Sequence, residues 1–87
     1  MKYLIYGKNG CPSCVNAKNL CIQNSLEYDY KIVGSDIQKE QLEEMAQRPL
    51  RTVPQIFLSS DGMTQYIGGY EDFYNHLIKG SKEDGIL

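Results

Sequence analysis

Two of the three cysteines in this chain stand as Cys11-Pro12-Ser13-Cys14, a spacing that suits two kinds of chemistry. One is reversible exchange between a dithiol and a disulfide; the other is half of a tetrahedral zinc site. Zinc would need two further ligands, here Cys21 with His76 or carboxylates, and the sequence holds no second C-x-x-C and no H-x-x-x-H. Thiol exchange needs no such complement. Proline directly after Cys11 suits the first position of a helix, where its missing amide costs nothing and its fixed φ already fits. Cys11 then caps a helix N-terminus, whose unpaired amides and macrodipole favour negative charge. The attacking species is the thiolate, and such sites lower a cysteine pKa from roughly 8.5 into the ~3.5 to 7.5 range. Cys14, inside the helix, is expected to lie deeper and keep its proton. Three residues of regular helix leave Cβ atoms about 5 to 6 Å apart, beyond the roughly 3.5 to 4.5 Å of a disulfide. A cap residue, free of helical dihedrals, closes that gap. The pair reads as an exposed attacker and a sheltered resolver.

The elements around the pair follow from periodicity. Lys2 to Tyr6 is short, aromatic and β-branched with an unbroken apolar run from Tyr3 to Tyr6, the pattern of a central strand covered on both faces. Gly7 to Gly10 reads as a turn, and the helix opened by Pro12 runs to about Asn24 or Ser25. Leu26, Tyr28, Tyr30 and Ile32 alternate with Glu27, Asp29 and Lys31, which predicts a strand over 26–33 with one wetter face. Ser35 with Gln38 has the spacing of a capping box, and Ile37, Leu42, Met45 and Ala46 supply the apolar face of a helix of about twelve residues ending before Pro49. Val53 to Leu58 reads as a strand with Pro54 at its start or at a position without a ladder bond. Ser59-Ser60-Asp61-Gly62 has hairpin chemistry and leads to a short strand, Met63 to Ile67. Gly68-Gly69 breaks that strand, and Tyr70 to Lys79 forms a third helix with Phe73, Leu77 and Ile78 inward. The tail 80–87 is expected to fray. The order β-α-β-α-β-β-α predicts an α/β fold: a four-stranded mixed sheet with helices on both faces, a largely parallel core and one antiparallel edge.

Composition narrows the setting. Eighty-seven residues at 41% hydrophobic make one domain with one small core. The longest apolar run, Tyr3 to Tyr6, is far below the roughly 18 residues of a membrane span or the ~7 to 15 of a secretory segment. Nine Lys plus Arg against eleven Asp plus Glu, with no basic block, argues against nucleic acid as a partner. An odd cysteine count disfavours a disulfide-stapled secreted scaffold and points to the reducing cytoplasm.

Three segments in this order resemble a glutaredoxin: Gly10-Cys11-Pro12-Ser13-Cys14-Val15-Asn16-Ala17-Lys18, Arg51-Thr52-Val53-Pro54-Gln55-Ile56-Phe57 and Ile67-Gly68-Gly69-Tyr70-Glu71-Asp72-Phe73. The resemblance covers Lys2 to about Lys79 and implies the thioredoxin-like fold. Thioredoxins themselves usually carry Cys-Gly-Pro-Cys after a tryptophan, and this chain has no Trp. The resemblance implies a thiol-disulfide oxidoreductase acting on protein disulfides and glutathione mixed disulfides, with Cys11 as nucleophile and Cys14 as resolving thiol. It implies glutathione as co-substrate, with no metal and no tightly bound cofactor. It further implies a cis Val53-Pro54 bond, a Val53 backbone that pairs with glutathione like an added strand, and Glu71 and Asp72 holding the γ-glutamyl end. Lys8 and Arg48 are the expected partners of the glycyl carboxylate, with Ser13, Thr52, Gly69 and Tyr70 beside the same site; Arg51 is a weaker candidate. Ser13 stands where many glutaredoxins have tyrosine, removing an aromatic surface for glutathione or a partner.

Two other functions fit less of the sequence. A thioredoxin-like electron donor, for example to ribonucleotide reductase, would use the same dithiol with a different reductant. An iron-sulfur carrier would hold a cluster between Cys11 and glutathione from two chains, but Pro12 stiffens the loop and removes a backbone donor. Otherwise a monomer is expected, with Cys21 packed inside its helix face and His76 on the surface.

Overall fold

The structure is a computed structural model that describes residues 1–86, with side-chain surroundings through Ile78. Its elements are β1 (Lys2–Gly7), α1 (Pro12–Gln23), β2 (Tyr28–Ile32), α2 (Lys39–Ala46), β3 (Gln55–Ser60), β4 (Met63–Gly68) and α3 (Tyr70–Ile86). The strands lie in the order β2-β1-β3-β4. β1 is therefore central, as its unbroken apolar sequence requires. Side chains alternate across a strand, so Tyr3 and Ile5 of β1 face one way and Tyr6 the other. Tyr3 and Ile5 join Ile56, Ala17, Cys21 and Phe73 in a core between the sheet and the helices α1 and α3. Tyr6 joins Phe57, Leu42, Ala46 and Leu50 in a second core under α2.

Strand direction departs from the expectation of a largely parallel sheet. β1 pairs with β2 in parallel, but β3 runs antiparallel to both β1 and β4. The path of the chain around the two connecting helices shows how this arises. The twelve residues of α1 rise about 18 Å, enough to return the chain along a five-residue strand of about 17 Å. α2 has only eight residues, about 12 Å, and the chain reverses after it at Gln47, which is left-handed with φ 57°. Accordingly β3 starts opposite Tyr6, at the same sheet end where β2 stops beside Gly7.

Other boundaries moved for local reasons. α2 is capped by Gln38, whose N–H donates to Gln41 Oε1 at 3.0 Å, not by Ser35. Gly34 N–H donates to the Ile37 carbonyl and Ile32 N–H to Asp36 Oδ2, which holds Ser35 in a turn and shortens the helix. Met45, expected on the apolar face, is 41% exposed. His76 is half-buried with its ring edge-on to Tyr3 at 6.1 Å between centroids, instead of lying free on the surface. The hairpin turn forms at Asp61 (φ 53°) and Gly62 (φ 78°), the two positive angles that match strand twist. α3 continues beyond Lys79 to Ile86; the rest of what the expected frayed tail implied, including Leu87, lies outside the described residues.

Candidate active site

The chain leaves β1 at Gly7 and turns into α1, so the helix N-terminus sits at the sheet's end. Cys11 is its N-cap with extended dihedrals (φ −106°, ψ 108°) and Pro12 occupies the first turn. Cys11 Sγ accepts the Cys14 N–H at 3.2 Å, one of the amides a helix start leaves without a partner. Cys11 and Cys14 form a disulfide with Cα atoms 5.2 Å apart, inside the usual range. Cys11 is less open than expected, with 7% exposure, but Cys14 has none. Of the two sulfur-bearing residues, Cys11 is therefore the one that keeps some contact with solvent.

Gly7 makes room for the buried sulfur. A Cβ built on it would lie 2.9 Å from Cys14 Sγ and 2.6 Å from the Tyr30 hydroxyl, below any tolerable contact. No side chain larger than hydrogen fits there while Cys14 stays in place.

Opposite α1, the loop before β3 presents its backbone. The Val53-Pro54 bond is cis, as the resemblance implied, and Cys11 Sγ lies 3.9 Å from the Val53 carbonyl oxygen. Two devices hold this loop. Leu50 N–H donates to Glu43 Oε2 at 2.8 Å, tying it to α2. The buried Gln55 donates through Nε2 to the Thr52 carbonyl at 2.8 Å and accepts the Tyr66 hydroxyl through Oε1, so both ends of its amide are satisfied. Gln55 was read only as part of a motif; a polar residue opening an otherwise apolar strand was the available signal.

Two cavities meet at Thr52 and Val53. The smaller, about 310 Å³, is lined by Ser13, Thr52, Val53, Pro54, Gly69, Tyr70, Glu71 and Asp72. It gathers eight of the expected site residues from three separate segments. The larger, about 610 Å³, has Cys11 and Pro12 in its wall, an apolar floor that includes Val33, Leu42 and Leu50, and the cations Lys8, Lys39 and Arg51. Arg48 lines neither cavity. Its guanidinium carbon sits 4.9 Å above the Tyr66 ring, because the left-handed turn at Gln47 swings it to the β4 side while Arg48 N–H closes on the Glu43 carbonyl. The arginine that reaches the cysteine side is Arg51, set aside above as a weaker candidate. Lys39 was not singled out at all, since a first-turn lysine of α2 gives no sequence sign of facing a loop 12 residues away.

The start of α3 is built for close approach. Asp72 Oδ2 accepts the Gly69 N–H at 3.3 Å, and Gly68 has φ 130° with the Asp72 carboxylate packed where a Cβ would stand. Only glycine meets both conditions. Cys21 is fully buried in the core beneath α1, and burial pushes its thiol up to about 11. Among the described residues no group of three or more His, Cys, Asp or Glu is gathered to hold a metal, and no helix is long and apolar enough to cross a membrane.

A four-stranded mixed sheet with a disulfide-forming pair at the N-terminus of its first helix, facing a cis-proline loop, defines a thiol-disulfide oxidoreductase of thioredoxin-like fold. The sequence matches the glutaredoxin family over residues 4–62. It is 44% identical over 79 residues to glutaredoxin 1 of Escherichia coli K12, covering 84% of this chain and 88% of that protein. The solved structure of reduced Escherichia coli glutaredoxin shares the fold with a TM-score of 0.78 and 38% identity, over 94% of this chain and 99% of the other. Glutaredoxin 1 of Francisella tularensis, solved with cacodylate, gives a TM-score of 0.67 at 28% identity, over 93% and 96%. The chain belongs to the glutaredoxin family and, as a glutaredoxin 1 homologue with a C-x-x-C dithiol, is a glutathione-dependent disulfide reductase.

Proposed function

We propose that this glutaredoxin reduces both glutathione mixed disulfides and protein disulfides, with the small cavity taking the γ-glutamyl limb of glutathione and the large one its glycyl end. In the reduced protein the Cys11 thiolate attacks a substrate disulfide, one sulfur of which leaves as thiolate while the other joins Cys11. When the bound group is glutathione, a second glutathione thiolate attacks its sulfur, forming oxidised glutathione and freeing Cys11 as thiolate; alternatively Cys14 attacks Cys11 Sγ and releases the bound group as thiolate. When Cys14 resolves, the product is the Cys11–Cys14 disulfide, which two glutathiones reopen. The observation that carries this reading is the meeting of both cavities at the Val53 backbone beside Cys11.

Recognition follows from the lining chemistry. An extended tripeptide can pair with the Val53 backbone as a strand would. Its γ-glutamyl carboxylate suits the α3 N-terminus and its ammonium suits the Asp72 carboxylate, with Glu71, Gly69 and Tyr70 around them. Its glycyl carboxylate suits Lys8 and Arg51, which line the far cavity; Arg48 has no part in this. Ser13 and Thr52 border the small cavity and leave it open where a tyrosine would narrow it. The test is a coupled turnover assay offering glutathione with its reductase, or thioredoxin reductase, as electron source. Turnover with glutathione supports the reading; turnover with thioredoxin reductase alone would replace it by a thioredoxin-like donor.

A further inference from the structure

The ring of Tyr30 has an evident role in the core beneath α1 and α3, where the period of β2 places it. Its hydroxyl has none in that packing, since phenylalanine would fill the same space. That hydroxyl donates to the Lys8 carbonyl at 3.2 Å. It also stands over the bare Cα of Gly7, beside the sulfur of Cys14, both atoms lying within 3 Å of the point where a Gly7 Cβ would be. Cys14 is wholly buried. A thiolate formed there loses hydration and must find donors within the protein.

We propose that Tyr30 is a positioning residue for the resolving thiol: its hydroxyl, held beside Cys14 by the Lys8 carbonyl, turns to hydrogen-bond the Cys14 sulfur when the disulfide opens. The inference rests on the glutathione-linked cycle above and concerns one step of it. A reductant thiolate, its proton already given to water, attacks Cys11 Sγ. The new bond joins its sulfur to Cys11, the Cys11–Cys14 bond breaks, and the electron pair stays on Cys14 as thiolate. The Tyr30 O–H stabilises that charge without transferring its own proton, and Cys14 is later protonated from solvent. An oxygen donor is suited to this, because hydrogen bonds to ionised acceptors are about twice as strong as neutral ones. The need arises only when Cys14 is the leaving or attacking sulfur. Exchange that passes through Cys11 and external glutathione alone does not involve it.

This difference gives the test. Tyr30→Phe keeps the ring, and its thermal unfolding midpoint reports whether the core is intact. Stopped-flow opening of the oxidised protein is followed with glutathione and, separately, with dithiothreitol, in wild type and Tyr30→Phe. Opening should slow by about tenfold or more with both reductants, the scale of losing one hydrogen bond to a charged atom. The second measurement compares Cys14→Ser with Cys14→Ser/Tyr30→Phe in reduction of a small glutathione mixed disulfide, where the two should agree within about twofold because the sulfur served by Tyr30 is absent. Unchanged opening rates in a folded Tyr30→Phe protein would overturn the proposal. So would an equal loss in the Cys14→Ser background, which would mean that Tyr30 acts only by fixing Lys8 and the turn. If glutathione failed to open even the wild-type disulfide, the glutathione reading would fall, and the dithiothreitol arm would still decide the role of Tyr30.

Discussion

The backbone N–H of Cys14 points at Cys11 Sγ from 3.2 Å, so Cys11, which we assign as the attacker, is the cap of the helix that carries Cys14, its proposed resolving partner. A single amide links the two roles. In the reduced protein this donor and the helix dipole stabilise negative charge on Cys11, whereas Cys14, without solvent access, gains no hydration when ionised.

The first prediction is therefore that Cys11 is the low-pKa thiol. Iodoacetamide at mildly acidic pH, followed by peptide mapping, should label Cys11 ahead of Cys14 and Cys21. Preferential labelling of Cys14 would reverse the assignment.

Cys21 should be chemically silent. Its thiol is raised by burial from 9.0 to about 11, so folded protein holds the proton more tightly than unfolded protein does. The associated stability is complete below pH 9 and is lost as pH rises towards 11. Burial raises Tyr3, Tyr6 and Tyr66 in the same sense, which adds to the alkaline loss. Cys21→Ala should leave turnover nearly unchanged, cost about 1 to 2 kcal/mol from lost packing, and flatten the fall in denaturation midpoint between pH 9 and 11. A large drop in activity would show a third thiol in the cycle.

The arginines separate two origins of binding energy. Arg51→Ala should raise the KM for a glutathione mixed disulfide about three- to tenfold by removing a charged partner for the glycyl carboxylate. Arg48→Ala should leave that KM alone and lower stability by about 0.5 to 1 kcal/mol through the lost stacking on Tyr66. Steady-state kinetics with both variants decides between them, and the opposite pattern would return Arg48 to the site.

Gly68→Ala tests the α3 side. The substitution forces an L-residue to φ 130° against the Asp72 carboxylate, so it should cost about 1 to 3 kcal/mol and weaken glutathione binding together. Asp72→Asn keeps the cap geometry but removes the charge, and should raise KM with kcat less affected. Equal KM values in wild type and Asp72→Asn would remove Asp72 from ammonium recognition.

The same contrast marks what could be read from sequence. The cysteine pair, its helix cap and the Asp61-Gly62 turn depend on neighbours within a few residues, and each stood in the chain as local chemistry. The period-two pattern of β2 and the apolar run of β1 located the strands. Neither encodes direction, so the antiparallel setting of β3 emerged only with the short α2 and the reversal at Gln47. That reversal also decides which arginine faces Cys11, a matter of tertiary path over three residues of sequence. The Gly7 contact with Cys14 and Tyr30 joins β1, α1 and β2, and no single segment carries its trace.

Cys11 alone should suffice for glutathione exchange while Cys14 serves protein substrates, and Cys14→Ser separates the two. A small glutathione mixed disulfide needs only attack by Cys11 and release by a second glutathione. With a protein disulfide, Cys11 is linked to a bulky partner, and Cys14, tethered three residues away, reaches the bond at an effective concentration free glutathione cannot match. Both activities are assayed in the same preparation of wild type and variant. Deglutathionylation should stay within about twofold while protein-disulfide reduction falls at least about tenfold and a covalent complex accumulates through Cys11. Equal loss of both activities would contradict it.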